Sequence, residues 1–205
     1  EEYTLVSVAD YVLSRAKADG VKNLVTVSNL SSSRALRDVT ESYGGTYFAS
    51  AVGEVNATTL MHEKGAIIGG EGNGGVIYPA IHSGRDAMVG VALFLSNLAH
   101  KKMTVSELKK TYPEYHIAKN KIELSDKGLI DKILSELKVI YAHENVNDID
   151  GVKISFEDKR EWVHLRKSNT EPIIRIYSEA PTEEEAVKLG EKVIAVAEKI
   201  ISSAK

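Results

Sequence analysis

The chain has 205 residues, 43% of them hydrophobic and 27% charged, with a formal net charge of -3 and no cysteine. This is globular composition with room for one large domain or two ordinary ones of roughly 100–200 residues each. It excludes a disordered tail, a collagen-like chain and a coiled coil. No apolar run approaches the roughly 20 residues of a membrane helix, and the slight acidic balance argues against a nucleic-acid partner, whose phosphates need a basic face. Absent cysteines remove disulfides and thiolate sites and suit a reducing, cytoplasmic setting. The first residue is Glu1 rather than Met, and no signal-type segment follows it, so the expectation is a chain cut from something longer.

In chain order, Leu5, Val8, Ala9, Val12, Leu13 and Ala16 recur at helical spacing, and Gly20 is placed as a C-terminal cap. Leu24 to Val27 fits a buried strand. Ser31–Ser33 can cap a helix over about 33–43, which stops at Gly44-Gly45. Thr46 to Ala49 reads as a strand, Glu54 to Glu63 as a helix and Ala66 to Ile68 as a third strand. A glycine-rich loop, Gly69 to Gly75, and a strand at Val76 to Tyr78 follow, then an apolar helix from Asp86 to Ala99 carrying Met88, Val91, Ala92, Phe94, Leu95 and Leu98. Such alternation predicts an α/β layered domain with a mixed sheet.

The second half has a different pattern. Val152, Ile154 and Phe156 alternate with polar residues, Asp158-Lys159 makes a turn, and Trp162, His164 and Arg166 alternate with Val163 and Leu165. Ile173 to Tyr177 is a further strand. One helix follows Ser125, with Leu129, Ile130, Ile133, Leu134 and Leu137 on one face. Another starts at Thr182, where Thr182 and Glu185 form a capping box before Ala186, Val187, Leu189, Val193, Ile194, Ala197 and Ile201. A smaller α+β domain is expected: an antiparallel four-stranded sheet with two helices on one face. The predicted boundaries are 1–108, a linker at 109–115 containing Pro113, and 116–205. Charge does not separate the halves, with 11 basic and 12 acidic residues in 1–115 and 15 and 17 in the remainder.

Two loops carry candidate chemistry. In Gly70-Glu71-Gly72-Asn73-Gly74-Gly75, four glycines in six residues let backbone N–H groups approach a ligand, and Glu71 and Asn73 can bind hydroxyls. A tight turn between buried strands explains the same glycines equally well. The loop is not a Walker loop, because Val76-Ile77 stand where Lys and Ser/Thr are needed. Arg166-Lys167-Ser168-Asn169-Thr170-Glu171-Pro172, with Arg175 beyond it, gathers cations, hydroxyls and an amide suited to a phosphate; a solvated hairpin is the plainer alternative. His82, Arg85 and Asp86 stand at the start of the long helix, where Asp86 suits the positive end of the dipole. No two of the six histidines lie three or four apart, so no helical metal site is expected.

The two loops together resemble those of the α-D-phosphohexomutase superfamily, which carries a sugar loop of the form G-E-x-S-G-H in its third domain and a phosphate loop of the form R-x-S-[NG]-T-E-P in its fourth. Ser32-Ser33-Arg34, Val52-Gly53-Glu54-Val55 and Gly84-Arg85-Asp86 fit the surrounding pattern. The resemblance spans essentially the whole chain. It implies that Glu71 and Asn73 read sugar hydroxyls, and that Arg166, Ser168, Asn169, Thr170 and Arg175 hold the phosphate that is not being transferred. It implies a hexose phosphate partner that moves its phosphoryl group between C1 and C6 through a hexose bisphosphate. Glucosamine, glucose and mannose phosphates all remain open.

Two departures stand out. Asn73 replaces the usual Ser, and Gly75 the usual His. The family's nucleophilic serine loop, T-x-S-H-N-P, and its magnesium loop, D-x-D-x-D-R, are both absent. The resemblance therefore implies the third and fourth domains of a cytoplasmic mutase, whose N-terminal half would bind the magnesium. Such a fragment is expected to be inactive alone; a non-catalytic sugar-phosphate-binding or regulatory protein is the alternative.

Overall fold

The computed structural model describes residues 2–124, 128–168 and 171–203. Ser125, the predicted helix start, and the loop residues Asn169 and Thr170 lie outside the described residues. The chain divides into two units, at residues 1–114 and 115–205.

Unit 1 contains α1 (Glu2–Ala18), β1 (Val25–Asn29), α2 (Ala35–Ser42), β2 (Thr46–Ser50), α3 (Glu54–Lys64), β3 (Ile68–Gly70), β4 (Val76–Tyr78), β5 (His82–Arg85), α4 (Ala87–Lys101) and α5 (Val105–Lys110). Its sheet runs in the order β2-β1-β3-β4-β5. β1, β2 and β3 are parallel, whereas β4 and β5 are antiparallel additions, so the sheet is mixed as predicted. β1 is buried along its length, as a central parallel strand covered on both faces should be. Val25 and Val27 pack with Ala57 and Met61 of α3 and with Ala66 and Ile77. Thr26 points to the other face, where its hydroxyl meets that of Thr40 on α2 at 2.7 Å.

A second polar group lies deep between helices. Asp10 on α1 is 3% exposed. It accepts from Tyr43 Oη (2.6 Å), Tyr112 Oη (2.8 Å) and Asn97 Nδ2 (3.3 Å), and pairs with Lys101. Burial alone would raise the Asp10 pKa; the hydrogen bonds from Lys101 and the two tyrosines outweigh it and hold the carboxyl below its usual range. Four helical segments thereby converge on one satisfied charge.

Unit 2 contains β6 (His116–Glu123), α6 (Gly128–Ile140), β7 (Asn145–Asn147), β8 (Val152–Phe156), β9 (Glu161–Lys167), β10 (Ile173–Ala180) and α7 (Glu183–Ser203). The sheet is antiparallel with order β6-β10-β9-β8-β7. Among the described residues it has five strands rather than the predicted four: alternation locates β8, β9 and β10, while β6 and the three-residue β7 are too polar to signal themselves. Val152, Ile154, Val163, Leu165, Ile174 and Ile176 turn one face toward Ile133 and Leu137 of α6 and Leu189, Val193 and Ala197 of α7. The period of two then sends Arg166 and Arg175 to the opposite face.

Other local differences from the sequence pattern have plain causes. Residues 109 and 110, expected in the linker, close α5, which Thr104 and Glu107 start with a full capping box. His82 and Arg85 lie on a strand, because β4 offers them a free edge. On α7 Ile200 is buried and Val187 is 40% exposed, so the buried stripe is narrower than the apolar spacing implied.

Candidate functional site

Three parallel strands end together in unit 1, and ligands of open α/β sheets gather beyond such carboxyl ends. Asn29 closes β1 and Glu71 follows β3; Asn29 Nδ2 donates to Glu71 Oε1 at 3.2 Å. The loop after β3 is a hairpin turn into β4. Glu71 N–H donates to the Gly75 carbonyl (3.0 Å), Gly74 N–H to the Glu71 carbonyl (3.1 Å), and Gly75 N–H to Asn73 Oδ1 (3.1 Å). The amide oxygen of Asn73 thus shapes its own loop, and its NH2 group is the part left to face a ligand.

Glu71 is almost wholly buried, with a side chain 7% exposed. Its Oε2 meets Arg85 Nη1 at 3.2 Å. Arg85 also bonds Glu54, at the start of α3, through Nε (2.8 Å to Oε2) and through its backbone N–H (2.9 Å to Oε1). The backbone and side-chain donors of Arg85 hold the Glu54 carboxyl below the usual range, and Glu54 in turn raises the arginine. A cavity of about 780 Å³ opens here, polar at Glu54, Asn73 and Arg85 and apolar at Val91 and Phe94. Asp86 takes the plainer of its two roles and caps α4, accepting the Val89 N–H at 3.0 Å. In the sequence Glu54 and Arg85 stand only as parts of a pattern; the ion pair joining residues 31 positions apart appears only in the fold.

In unit 2 the second loop joins β9 to β10. Ser168 N–H donates to the Ile173 carbonyl at 3.0 Å, and Ile173 N–H to that of Glu171 at 2.9 Å. Arg166 and Arg175 are direct cross-strand partners, and Lys121 of β6 is the partner of Arg175 on its other side. Like charges placed opposite one another repel. Glu171 partly offsets them by pairing with Arg175 at 3.3 Å, and Glu123 by pairing with Lys121 at 2.7 Å. The Arg166 Nε–H is buried and has no hydrogen-bond partner among the described residues. Register alone reveals Lys121, since nothing in its local sequence marks it.

Arg166 rests on a shaped support. His164, two residues before it, is 1% exposed and makes a 2.6 Å bond to the Asp150 carbonyl. Burial lowers the His164 pKa to about 4, so the ring is neutral at pH 7. Gly151 has φ +73°, and a Cβ there would stand 2.8 Å from the Arg166 Cα; only glycine fits both the angle and the contact.

These features meet a known family. Residues 1–115 match the model of the phosphoglucomutase/phosphomannomutase alpha/beta/alpha domain III, and residues 120–196 that of the C-terminal domain. The chain belongs to the phosphoglucomutase/phosphomannomutase family, within the α-D-phosphohexomutase superfamily. It is similar to a phosphoglucomutase/phosphomannomutase of Thermococcus kodakarensis, with 35% identity over 93% of this chain and 41% of that one. It is also similar to a probable phosphoglucosamine mutase of Methanopyrus kandleri, with 30% identity over 84% and 38%. Among solved structures, an Aspergillus fumigatus N-acetylphosphoglucosamine mutase in complex with GlcNAc-6P and magnesium shares the fold, with a TM-score of 0.73 and 14% identity over 98% of this chain and 44% of that one. The chain spans about two fifths of the length of these curated relatives. Among the described residues, no group of three or more His, Asp or Glu is arranged to hold a metal ion, and no helix is long and apolar enough to cross a membrane.

Proposed function

We propose that this chain supplies the sugar- and phosphate-recognition part of a cytoplasmic phosphohexomutase that interconverts hexose 1-phosphate and hexose 6-phosphate through a hexose bisphosphate. Glu71 and Asn73 take the sugar hydroxyls. Arg166, Ser168 and Arg175, with Asn169 and Thr170 of the same loop, take the phosphate that stays in place. The single observation that carries the reading is the register of β9 and β10, which sets Arg166 directly opposite Arg175.

Gripping the distant phosphate spends binding energy on orientation, leaving the reacting end free to be presented. A substrate that must bind in two directions needs one phosphate grip and one hydroxyl grip, not two phosphate-specific pockets. Magnesium and the serine nucleophile belong in this reading to the N-terminal half of the enzyme, since no residue described in this chain is assigned to the metal. The names of the relatives support a hexosamine or hexose phosphate as substrate class.

Calorimetric titration of the purified chain with glucosamine 6-phosphate and glucose 6-phosphate tests this. Binding is expected, weakened by about 1.5–3 kcal/mol for each charge-assisted bond removed by Arg166→Ala. Equal affinity of the variant, or mutase turnover by this chain alone, overturns the reading.

A further inference from the structure

We propose that Lys121 is a phosphate-binding residue of the second candidate site, a cation that joins Arg166 and Arg175 in one row and adds charge where they add directed hydrogen bonds. The inference rests on the mutase reading above. Lys121 belongs to β6, a different strand from either arginine and outside the loop that carries the phosphate motif.

Strand register builds the row. Leu165, Ile174 and Ile122 turn toward the helices, so Arg166, Arg175 and Lys121, each one residue along, share the opposite face. Arg175 is the register partner of Arg166 on one side and of Lys121 on the other. Neighbouring strands lie about 5 Å apart, which puts Arg166 and Lys121 about 10 Å apart at the backbone. Two long side chains at that spacing can meet over the arginine between them. The loop is fastened to the same corner. Leu124 N–H, just past the end of β6, donates to the Pro172 carbonyl at 3.1 Å, and Ser168 N–H, just past β9, donates to the Ile173 carbonyl at 3.0 Å.

The plainer role for Lys121 is a surface ion pair with Glu123, but that pair is weak. The two side chains are 61 and 72% exposed, and water screens such a pair almost completely. Other charges also act on the lysine. Glu123 chiefly holds its ammonium above the usual range; Glu171 of the phosphate loop adds to this, and Arg175 opposes it. Glu171, paired with Arg175 at 3.3 Å, is thus an anion to which both Arg175 and Lys121 respond. A phosphate dianion brings two negative charges to the same row. The guanidinium forks bind its oxygens in fixed directions, whereas an ammonium is a compact charge on a flexible stem that follows the phosphate without orienting it. The contribution of the lysine therefore scales with the charge of the ligand.

Calorimetric titration of the purified chain at pH 8 with glucose 6-phosphate, a dianion there, and with glucose 6-sulfate, a monoanion of the same shape, tests the proposal. Lys121→Gln should weaken glucose 6-phosphate binding about tenfold but glucose 6-sulfate binding only about threefold, because half the charge carries half the free energy. Lys121→Arg should keep most of the wild-type affinity. Lys119→Gln, one row away beside Tyr177, should change either affinity by less than about twofold. The dissociation constant for glucose 6-phosphate should also rise less steeply with salt in Lys121→Gln than in the wild type. Unchanged phosphate affinity in Lys121→Gln, an equal loss for both esters, or an equal loss from Lys119→Gln overturns the proposal and leaves the mutase reading standing as long as Arg166→Ala loses affinity. Failure of the wild type to bind glucose 6-phosphate overturns that reading and the proposal with it. If Lys121→Gln unfolds, Lys121→Met is read against the same outcomes.

Discussion

In unit 1 the central strand β1 is buried along both faces, and the hydroxyl of Thr26 and the carboxylate of Asp10 are each met by a partner inside the core. In unit 2 the strands have two unlike faces: Ile174 and Ile176 turn to the helices while Arg175 and its row partners Arg166 and Lys121 share the other. The carboxylate Glu71 of the first candidate site is correspondingly sunk and already bonded to Asn29 and Arg85, whereas Lys121 of the second is exposed. A hydroxyl reader must be preset, because neutral hydroxyls bring little energy to organise a site. A dianionic phosphate brings enough attraction to gather cations that repel one another in its absence.

The sharpest way to break this contrast is Asp10→Ala. It removes the acceptor of Tyr43, Tyr112 and Asn97 and strands the Lys101 charge, and should cost about 3–5 kcal/mol. Hydrogen exchange should show the loss confined to unit 1. Equal loss of protection in unit 2 would contradict the assignment of that charge to one core.

Acid should separate the units in the reverse order. His164 has a folded pKa of about 4, below the usual 6.5 of a histidine, so the unfolded state binds its proton first. Its contribution is complete above about pH 6.5 and is lost as pH falls through about 4, by up to about 3 kcal/mol at 1.36 kcal/mol per unit. Asp10 is held below its ordinary 3.8, so its contribution stays complete above that and fails only in stronger acid. Unfolding followed from pH 7 to pH 4 should weaken unit 2 first, and His164→Gln should flatten the slope. A slope unchanged in that variant would place the acid sensitivity elsewhere.

The smallest effect sharpens the comparison at the phosphate grip. Gly151→Ala places a methyl against Leu165 and Arg166 at a positive φ, for about 1–3 kcal/mol of stability. Phosphate titration should show weaker binding at β9 and β10, with the spectrum of residues 70–75 unmoved. Unchanged phosphate affinity would mean that the turn at 148–151 does not set Arg166.

Much of this molecule is legible in its residues. The strands at Val25, Thr46, Val152 and Trp162 declare themselves by apolar runs or alternation. The cap at Thr182 does so by its spacing to Glu185: the Glu185 N–H donates to Thr182 Oγ1 at 3.3 Å, and that hydroxyl donates to Glu185 Oε2 at 2.7 Å. Both loops stand out in the sequence because glycine density and donor density are local properties. β6 carries no strand signal: His116-Ile117-Ala118-Lys119-Asn120-Lys121-Ile122-Glu123 is polar at most positions and is a strand only because it pairs along the whole of β10. The apolar helix α4 misleads in the other direction. Met88, Val91 and Leu95 are 79, 56 and 57% exposed, and its buried positions are Gly90 and Asn97. Periodicity reports which face is greasy, not which face is covered.

By itself the sequence determined the fold class of each half, most element boundaries and the family, because these depend on residues near one another in the chain. Only the tertiary structure decided that Arg85 lies over Gly75 between Glu54 and Glu71, that Lys121 joins Arg175 and Arg166 in one row, and that Asp10 finds four partners from three other helical segments. These rest on strand register and helix packing, which bring together side chains up to about 100 residues apart and for which no local pattern exists.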